Sequence, residues 1–333
     1  MISVDNTYVF NPVKYLDKLA MICQKKKIKI FENTRIINIK RRKKYICETK
    51  DGFKISCNKL VIACHYPYFL KPFFIPLKTR IEKSNLVSGR CNKIRNESYI
   101  SDNGNKSMRY YNNGDNKYVV YLTNSDFVCN KLNEVKNYNK IVNDCNSMDI
   151  DINNYWRNDD LITIDSLPYI GRMENNNDNL FIGTGYNTWG MTNGTLAGYC
   201  LSNMIVNKEN EFEKIFNPLR TNHFSNIDRL FVSSFDSVKG YIMNKIVKNK
   251  IWYSSNVYYG RIDDDNVAVY NDGEKEYIVY SKCPHLGCTL IFNEIERTWD
   301  CPCHASRFNL EGKCIKGPSN YDISYVKGND DEI

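Results

Sequence analysis

Two short cysteine–histidine blocks constrain this chain more than any other feature: Cys283-Pro284-His285-Leu286-Gly287-Cys288 and Cys301-Pro302-Cys303-His304. Together they offer two thiolates and two imidazoles, as Cys-x-His and Cys-x-x-His, with residues 286–300 between them. Each block supplies one ligand of each kind, so two loops can clamp a single metal centre from opposite sides. Two chemistries accept this set. Zinc takes two sulfurs and two nitrogens tetrahedrally, and a two-iron, two-sulfide cluster can take two cysteines on one iron and two histidines on the other. The whole chain has 4 histidines, and two of them fall here. Each block also carries a further cysteine, Cys288 and Cys303.

The 333 residues suffice for two domains of ordinary size. No stretch approaches the ~18 uncharged apolar residues of a membrane span; the longest candidate, Leu196 to Val206, is interrupted by Ser202 and Asn203. The N-terminus has no basic segment followed by an apolar one, so no signal peptide is expected and a cytoplasmic location is. The net charge of +8 is spread along the chain. Its one dense basic run, Lys40 to Lys44, reads as a solvated strand end or hairpin, and no nucleic-acid partner is expected. Of the 13 cysteines, those before Cys283 show no metal spacing and read as ordinary thiols. The crowding of the rest into residues 283–314 favours a local metal site over a secreted disulfide framework.

Residues 14–25 space apolar side chains at Tyr15, Leu16, Leu19, Ala20, Ile22 and Cys23, which predicts a helix. Strands follow, two of them joined at Asp51-Gly52. The short apolar run Leu60 to Cys64 suits a buried parallel strand. Further strands are expected around Ser107–Tyr111 and Lys117–Asn124 with a turn at 112–116, and a helix near 131–145. Asn179 to Gly185 reads as a strand, Tyr186 to Met191 as a loop, and Thr192 to Val206 as a helix capped by Thr192 or Asn193. A helix over 235–249 precedes an all-β pattern from Trp252, with turns at 263–265 and 271–273. The domain boundary is therefore expected near 250.

The two metal blocks closely resemble those of Rieske [2Fe–2S] domains, small β-sandwiches with two ligand loops at one tip. The resemblance implies Cys283, His285, Cys301 and His304 as cluster ligands. It implies a Cys288–Cys303 disulfide tying the loops. It places the Ser306 hydroxyl on a cluster sulfide, and Gly312 and Gly317-Pro318 in a covering third loop. Phe308 departs from the respiratory pattern, which carries a tyrosine that donates to a cysteine sulfur. With one donor fewer, a potential below that of the respiratory proteins is expected, inside the range of roughly −150 to +300 mV. Histidines exposed at the tip would couple electron to proton transfer. Zinc remains the alternative, although the spacing is not that of a finger and the Pro-Cys-His-x-Ser context is not needed for zinc.

The larger part resembles FAD-dependent amine and glycine oxidases, more narrowly those bearing a C-terminal Rieske domain. The segments carrying this are Leu60 to Pro67, Asp159 to Arg172 and Asn179 to Gly198. The resemblance implies an α+β chain: a DAO-like α/β domain over 1–220, incomplete at its N-terminus, a helical connector over 221–250, and an all-β Rieske sandwich over 251–325. It implies FAD as a second cofactor, with Ala63 and Cys64 near its phosphates and Gly185, Gly190, Met191 and Thr192 under the flavin, where a helix N-terminus favours negative charge on the reduced ring. The βαβ unit with G-x-G-x-x-G that seats the pyrophosphate has no counterpart in the sequence. The chain is expected to be a truncated or split gene product, or one whose partner polypeptide supplies that unit. Arg109 is a candidate carboxylate binder, with a surface arginine as the plain alternative. His65 and His223 read as structural.

These readings predict an iron–sulfur flavoprotein-type oxidoreductase that takes electrons from a small-molecule substrate, an amine by resemblance, through FAD to the cluster and an external acceptor. The alternatives are an electron-transfer module on a non-catalytic flavin-domain remnant, and a zinc-binding structural protein.

Overall fold

Long antiparallel strands organise the first domain. The computed structural model describes residues 2–4, 8–67, 75–92, 98–101, 104–114, 116–127, 134–174, 177–220 and 256–326. Thr79–Cys91 lies between Asn116–Phe127 and Ile150–Thr163, antiparallel to both. The sheet continues through Lys106–Asn113 and Ser98–Ile100 to Ile2–Val4, making six strands. Alternation puts Val87, Met108, Val119 and Tyr121 in one core. The helix Glu134–Ser147 covers it with Ile141 and Cys145. The polar stretch at 150–160, unassigned by its sequence pattern, is half of the longest strand pairing in the chain.

A second sheet orders Tyr169–Glu174, Asn177–Thr184 and Leu60–Ile62, the last pair parallel as expected. The expected full burial of Leu60 to Cys64 does not hold. Leu60–Ile62 is an edge strand, so Ile62 is buried while Val61 is 37% exposed and Ala63 and Cys64 lie open. The helix Gly190–Ile205 packs on this sheet through Ala197, Cys200, Leu201 and Met204. It begins two residues earlier than the sequence suggests, after Trp189, with no side-chain cap. Asn193 instead turns its amide back to the Tyr186 carbonyl, 3.0 Å away, which spends the expected capping group on the preceding loop.

The helix Pro12–Lys25 forms as its spacing predicts, with Asn11 Oδ1 accepting from Lys14 N at 3.0 Å and Pro12 in its first turn. None of its residues is buried among the described residues. The strands Ile36–Arg41, Tyr45–Thr49 and Lys54–Cys57 form a meander. The basic run sits in its first turn, where Arg42 N donates to the Lys44 carbonyl. Arg220 closes the first domain: it pairs with Asp165, donates to the carbonyls of Leu167 and Pro168, and lies over the Tyr169 ring.

Residues 256–326 form the all-β unit. Val257–Ile262, Asp265–Asn271 and Glu276–Tyr280 make one sheet; Ile291–Asn293, Thr298–Asp300, Arg307–Phe308 and Cys314–Lys316 make the other. Trp299, Phe308, Leu290, Val279, Val257 and Ile323 fill the space between them. The chain is thus α+β as expected. The helix expected over 235–249, the boundary near 250 and His223 lie outside the described residues.

The two domains meet on a buried charge cluster. Arg157, with 1% of its side chain exposed, donates to Glu134 Oε1 at 2.8 Å and to Asp300 Oδ2. Asp300 also accepts from Arg307 Nε at 3.0 Å, Thr298 Oγ1 at 3.0 Å and Asn293 Nδ2 at 3.2 Å. Lys83 pairs with Glu134 at 2.7 Å, and Lys316 crosses the interface to Asp159 at 2.7 Å. Burying these charges costs solvation, which their mutual attraction offsets only while every partner stays in place. Arg157→Ala should therefore lower the stability of the full chain by about 3–5 kcal/mol in equilibrium denaturation, because Asp300 is left buried without its main counter-charge. A loss below about 1 kcal/mol, the size of a surface pair, would show that the cluster does not hold the interface.

Candidate metal centre

The two blocks fold into loops of matching geometry. In the first, Cys283 N donates to the Cys288 carbonyl and Gly287 N to the Cys283 carbonyl, each at 2.8 Å. In the second, Cys301 N donates to the Ser306 carbonyl at 2.7 Å and Ala305 N to the Cys301 carbonyl at 3.0 Å. Proline follows the first cysteine of each loop, and the fifth position takes positive φ in both, Gly287 at 77° and Ala305 at 60°. Glycine adopts this region freely; Ala305 is held there by its neighbours. The repeated hydrogen bonding sets Cys283 against Cys301 and His285 against His304.

The Cys283 and Cys301 side chains share a hydrogen bond. That bond, assisted by the backbone of His285 and by the Ser306 hydroxyl, lowers the Cys283 thiol to about 7 against the opposing effect of burial. The same pairing, with burial, pushes Cys301 up. The two imidazole rings stand 4.9 Å apart, nearly perpendicular. Burial lowers His285 to about 4, and burial with the neighbouring His285 lowers His304 to about 3. Both rings are therefore neutral near pH 7, the form that binds metals. The tip is less open than the exposed histidines expected of it, His285 being half-buried. His304 is buried, and the ring of Tyr66 from the first domain lies 5.3 Å from His304 and 6.3 Å from His285.

Cys288 and Cys303 are joined as a disulfide between the loops. The sulfurs of Cys288, Cys301 and Cys303 also lie within 4.8 Å of one another. Two of the three are spent on the bridge, so this group leaves only Cys301 as a free donor. Ser306 is fully buried and accepts from Ser319 N at 2.9 Å. Gly317-Pro318, a cis peptide, precedes Ser319 in the covering segment. Gly312 anchors that segment: its φ is 83°, an added Cβ would meet Ser324 N at 2.5 Å, and its carbonyl accepts from Ile323 N at 2.7 Å. Phe308 is fully buried in the sandwich core, so its position offers no hydroxyl.

The other candidates fall elsewhere. Gly190, Met191 and Thr192 open the helix Gly190–Ile205, beside a cavity of about 510 Å³ that Phe10, Tyr15 and Tyr199 also line. A Cβ on Gly190 would meet nothing within 4 Å. Gly185 has φ 71°, and its Cβ position is filled by Thr163 Cγ2 at 2.6 Å, so packing demands this glycine. Arg109 is exposed and donates to the carbonyls of Met108 and Tyr99. Sequence patterns did not reveal Tyr66 or Arg157, which reach the centre only through tertiary contact, nor the role of Asp300, which precedes Cys301 and pairs with Arg157.

Residues 2–204 match the model of the FAD dependent oxidoreductase family (DAO), and residues 248–326 that of the Rieske [2Fe-2S] domain. The chain belongs to the FAD dependent oxidoreductase family and carries a Rieske domain after it. It is 27% identical over 332 residues to YhfW of Bacillus subtilis (strain 168), named for a Rieske 2Fe-2S iron-sulfur protein; the match covers 94% of this chain and 64% of YhfW. Over 71 residues it is 34% identical to the chloroplastic cytochrome b6-f complex iron-sulfur subunit 1 of Nicotiana tabacum, covering 21% of this chain and 31% of that one. Glycine oxidase from Geobacillus kaustophilus superposes with a TM-score of 0.47 at 17% identity, over 58% of this chain and 53% of that chain.

The Rieske domain implies a [2Fe–2S] cluster and the DAO domain implies FAD. The tip fits the cluster: two sulfurs are in contact, two imidazoles are neutral, and His304 Nδ1 is buried with no hydrogen-bond partner. For FAD the fit is partial. The open helix start at Gly190 can face a ring, but no G-x-G-x-x-G run is present to receive the phosphates.

The charge at the interface also has a titratable signature. Burial raises the Asp160 carboxyl to about 6, Lys316 opposing and Asp159 and Glu82 adding to the rise. An acid whose folded pKa is raised binds its proton more readily when folded, so its contribution to stability falls as pH rises from about 4 to about 6. Asp160→Asn should therefore stabilise the chain at about pH 8, by on the order of 2 kcal/mol, with the gain vanishing near pH 4. Denaturant midpoints at the two pH values check this; an equal gain at both would refute it.

Proposed function

We propose that this chain works as the iron–sulfur part of a flavoprotein-type oxidoreductase, passing electrons one at a time between its first domain and an external acceptor. The observation that carries this reading is the convergence of Cys283, Cys301, His285 and His304 on two loops of matching geometry, with the two imidazole rings 4.9 Å apart, His304 buried and His285 half-buried. A bound [2Fe–2S] cluster supplies reversible one-electron storage. Cys283 and Cys301 would hold one iron, and His285 and His304 the other. Ser306 donates toward the Cys283 sulfur, and the Cys288–Cys303 bridge keeps the loops in register. We assign residues 1–220 to the oxidoreductase domain, 221–250 to a connector and 251–325 to the Rieske domain.

The exposed apolar side chains of the helix Pro12–Lys25, together with the edge strand at Val61, support a further polypeptide unit that seats the dinucleotide. A small amine is the substrate class that the family supports, and Arg109 is the weak candidate to bind it. A second reading, supported by the electron-transfer chemistry of the tip alone, is an electron-transfer module on a first domain that performs no oxidation of its own.

The chain isolated after growth with iron should show a Rieske visible spectrum and, once reduced by one electron with dithionite, a Rieske EPR signal. Its midpoint should lie within roughly −150 to +300 mV and below about +200 mV, since Phe308 offers no donor to sulfur. His285→Cys and His304→Cys should each change or abolish the EPR signal. A colourless zinc protein, or an unchanged signal in either variant, would overturn the ligand assignment. Flavin absorption beside the cluster bands supports the first reading, and cluster bands alone support the second.

A further inference from the structure

The imidazole edge of the centre is covered by the first domain at one residue. Tyr66 is 7% exposed, and its ring meets His304 at 5.3 Å, tilted by 52°, and His285 at 6.3 Å, edge-on at 85°. Beside it, Ile81, Leu161 and Ala305 complete a buried apolar cluster with Tyr66. Ile81 and Leu161 come from the two long strands of the first domain, and Ala305 from the loop that carries His304. The backbone before Tyr66 is fixed too, because Thr184 Oγ1 donates to the His65 carbonyl at 2.7 Å. Two ion pairs, Arg157 to Asp300 and Lys316 to Asp159, clamp the same interface.

We propose that Tyr66 seals the imidazole edge of the metal centre, keeps water from it, and makes the first domain the body that touches it. A redox partner in solution then cannot dock on these two imidazoles while the domains are packed. This rests on the reading of the centre as a [2Fe–2S] cluster. With two thiolates and two neutral imidazoles, such a cluster is uncharged when oxidised. One added electron makes it −1, with no bond made or broken. Dry surroundings disfavour that charge, so the seal holds the potential down. Tyr66 is a positioning residue, acting through the ligand rings.

The experiment uses the full-length holoprotein and diethyl pyrocarbonate, which acylates the imidazole nitrogen that iron leaves free as its proton passes to water, with ethanol and carbon dioxide released and sites mapped by mass spectrometry. His285 and His304 should react at least about tenfold more slowly in the wild type and in Tyr66→Phe than in Tyr66→Ala. The midpoint potential should rise in Tyr66→Ala and stay in place in Tyr66→Phe, a pattern that a purely structural role would not give. If the alanine variant does not fold, Tyr66→Leu, which keeps apolar volume without the flat ring, takes its place. Wild-type histidines that react as fast as those of the unfolded chain overturn the seal. Protection and potential unchanged on loss of the ring overturn its assignment to Tyr66. An EPR spectrum of the same sample after one-electron reduction with dithionite reports separately on the cluster: if it shows no signal, the reading of the centre fails, while the acylation rates still decide the seal.

Discussion

The Arg157–Asp300 contact is the interaction on which the arrangement of this protein depends. Arg157 projects from the longest strand of the first domain, and Asp300 immediately precedes Cys301 in the second metal loop. Burial alone would raise the Asp300 carboxyl; Arg157 and Arg307 outweigh it and hold it below the usual carboxylate range. An aspartate lowered in this way contributes stability above its unfolded pKa, and that contribution is lost as pH falls through the folded one. The second loop is therefore anchored to the first domain by charge one residue from Cys301, a proposed ligand. Surface pairs would not fix a loop so firmly, because water screens them and side-chain entropy opposes them.

With that anchor in place, the neighbouring contacts have a common logic. The backbone bonds repeated in the two loops place two sulfurs together and two imidazoles together. The disulfide ties the loops, and the segment after Gly312 covers them through Ser319 and Ser306. Ala305, in the left-handed region, carries its methyl into the interdomain cluster with Tyr66, Ile81 and Leu161. The groups that bind metal and the groups that join the domains thus share the loop Cys301 to Ser306, so changes at the interface reach the metal site directly.

Much of the fold was legible in the sequence because the signals were local. The helix Pro12–Lys25 follows from apolar spacing, the parallel strand Leu60–Ile62 from its continuous apolar run, and the sandwich from short strands between turns. What failed did so for physical reasons. The strand Ile150–Thr163 is polar because it carries interface charges, so its pattern does not alternate. Leu60–Ile62 reads as buried yet lies at a sheet edge, since composition does not report neighbours. The helix at Gly190 begins early because Asn193 bonds backward to Tyr186. At Gly185 the structure adds a packing reason for glycine that the sequence pattern does not show, Thr163 lying where a Cβ would be.

By itself the sequence pointed to the proposed donor set, since residue type and spacing within a short loop are local properties that backbone hydrogen bonding then fixes. Only the tertiary structure decided the surroundings of those donors: that the Tyr66 ring lies against both imidazoles, and that Arg157 pairs with the carboxylate beside Cys301. Those groups come from strands and turns more than a hundred residues away. Burial and charge pairing depend on which surfaces meet, and no local pattern encodes that.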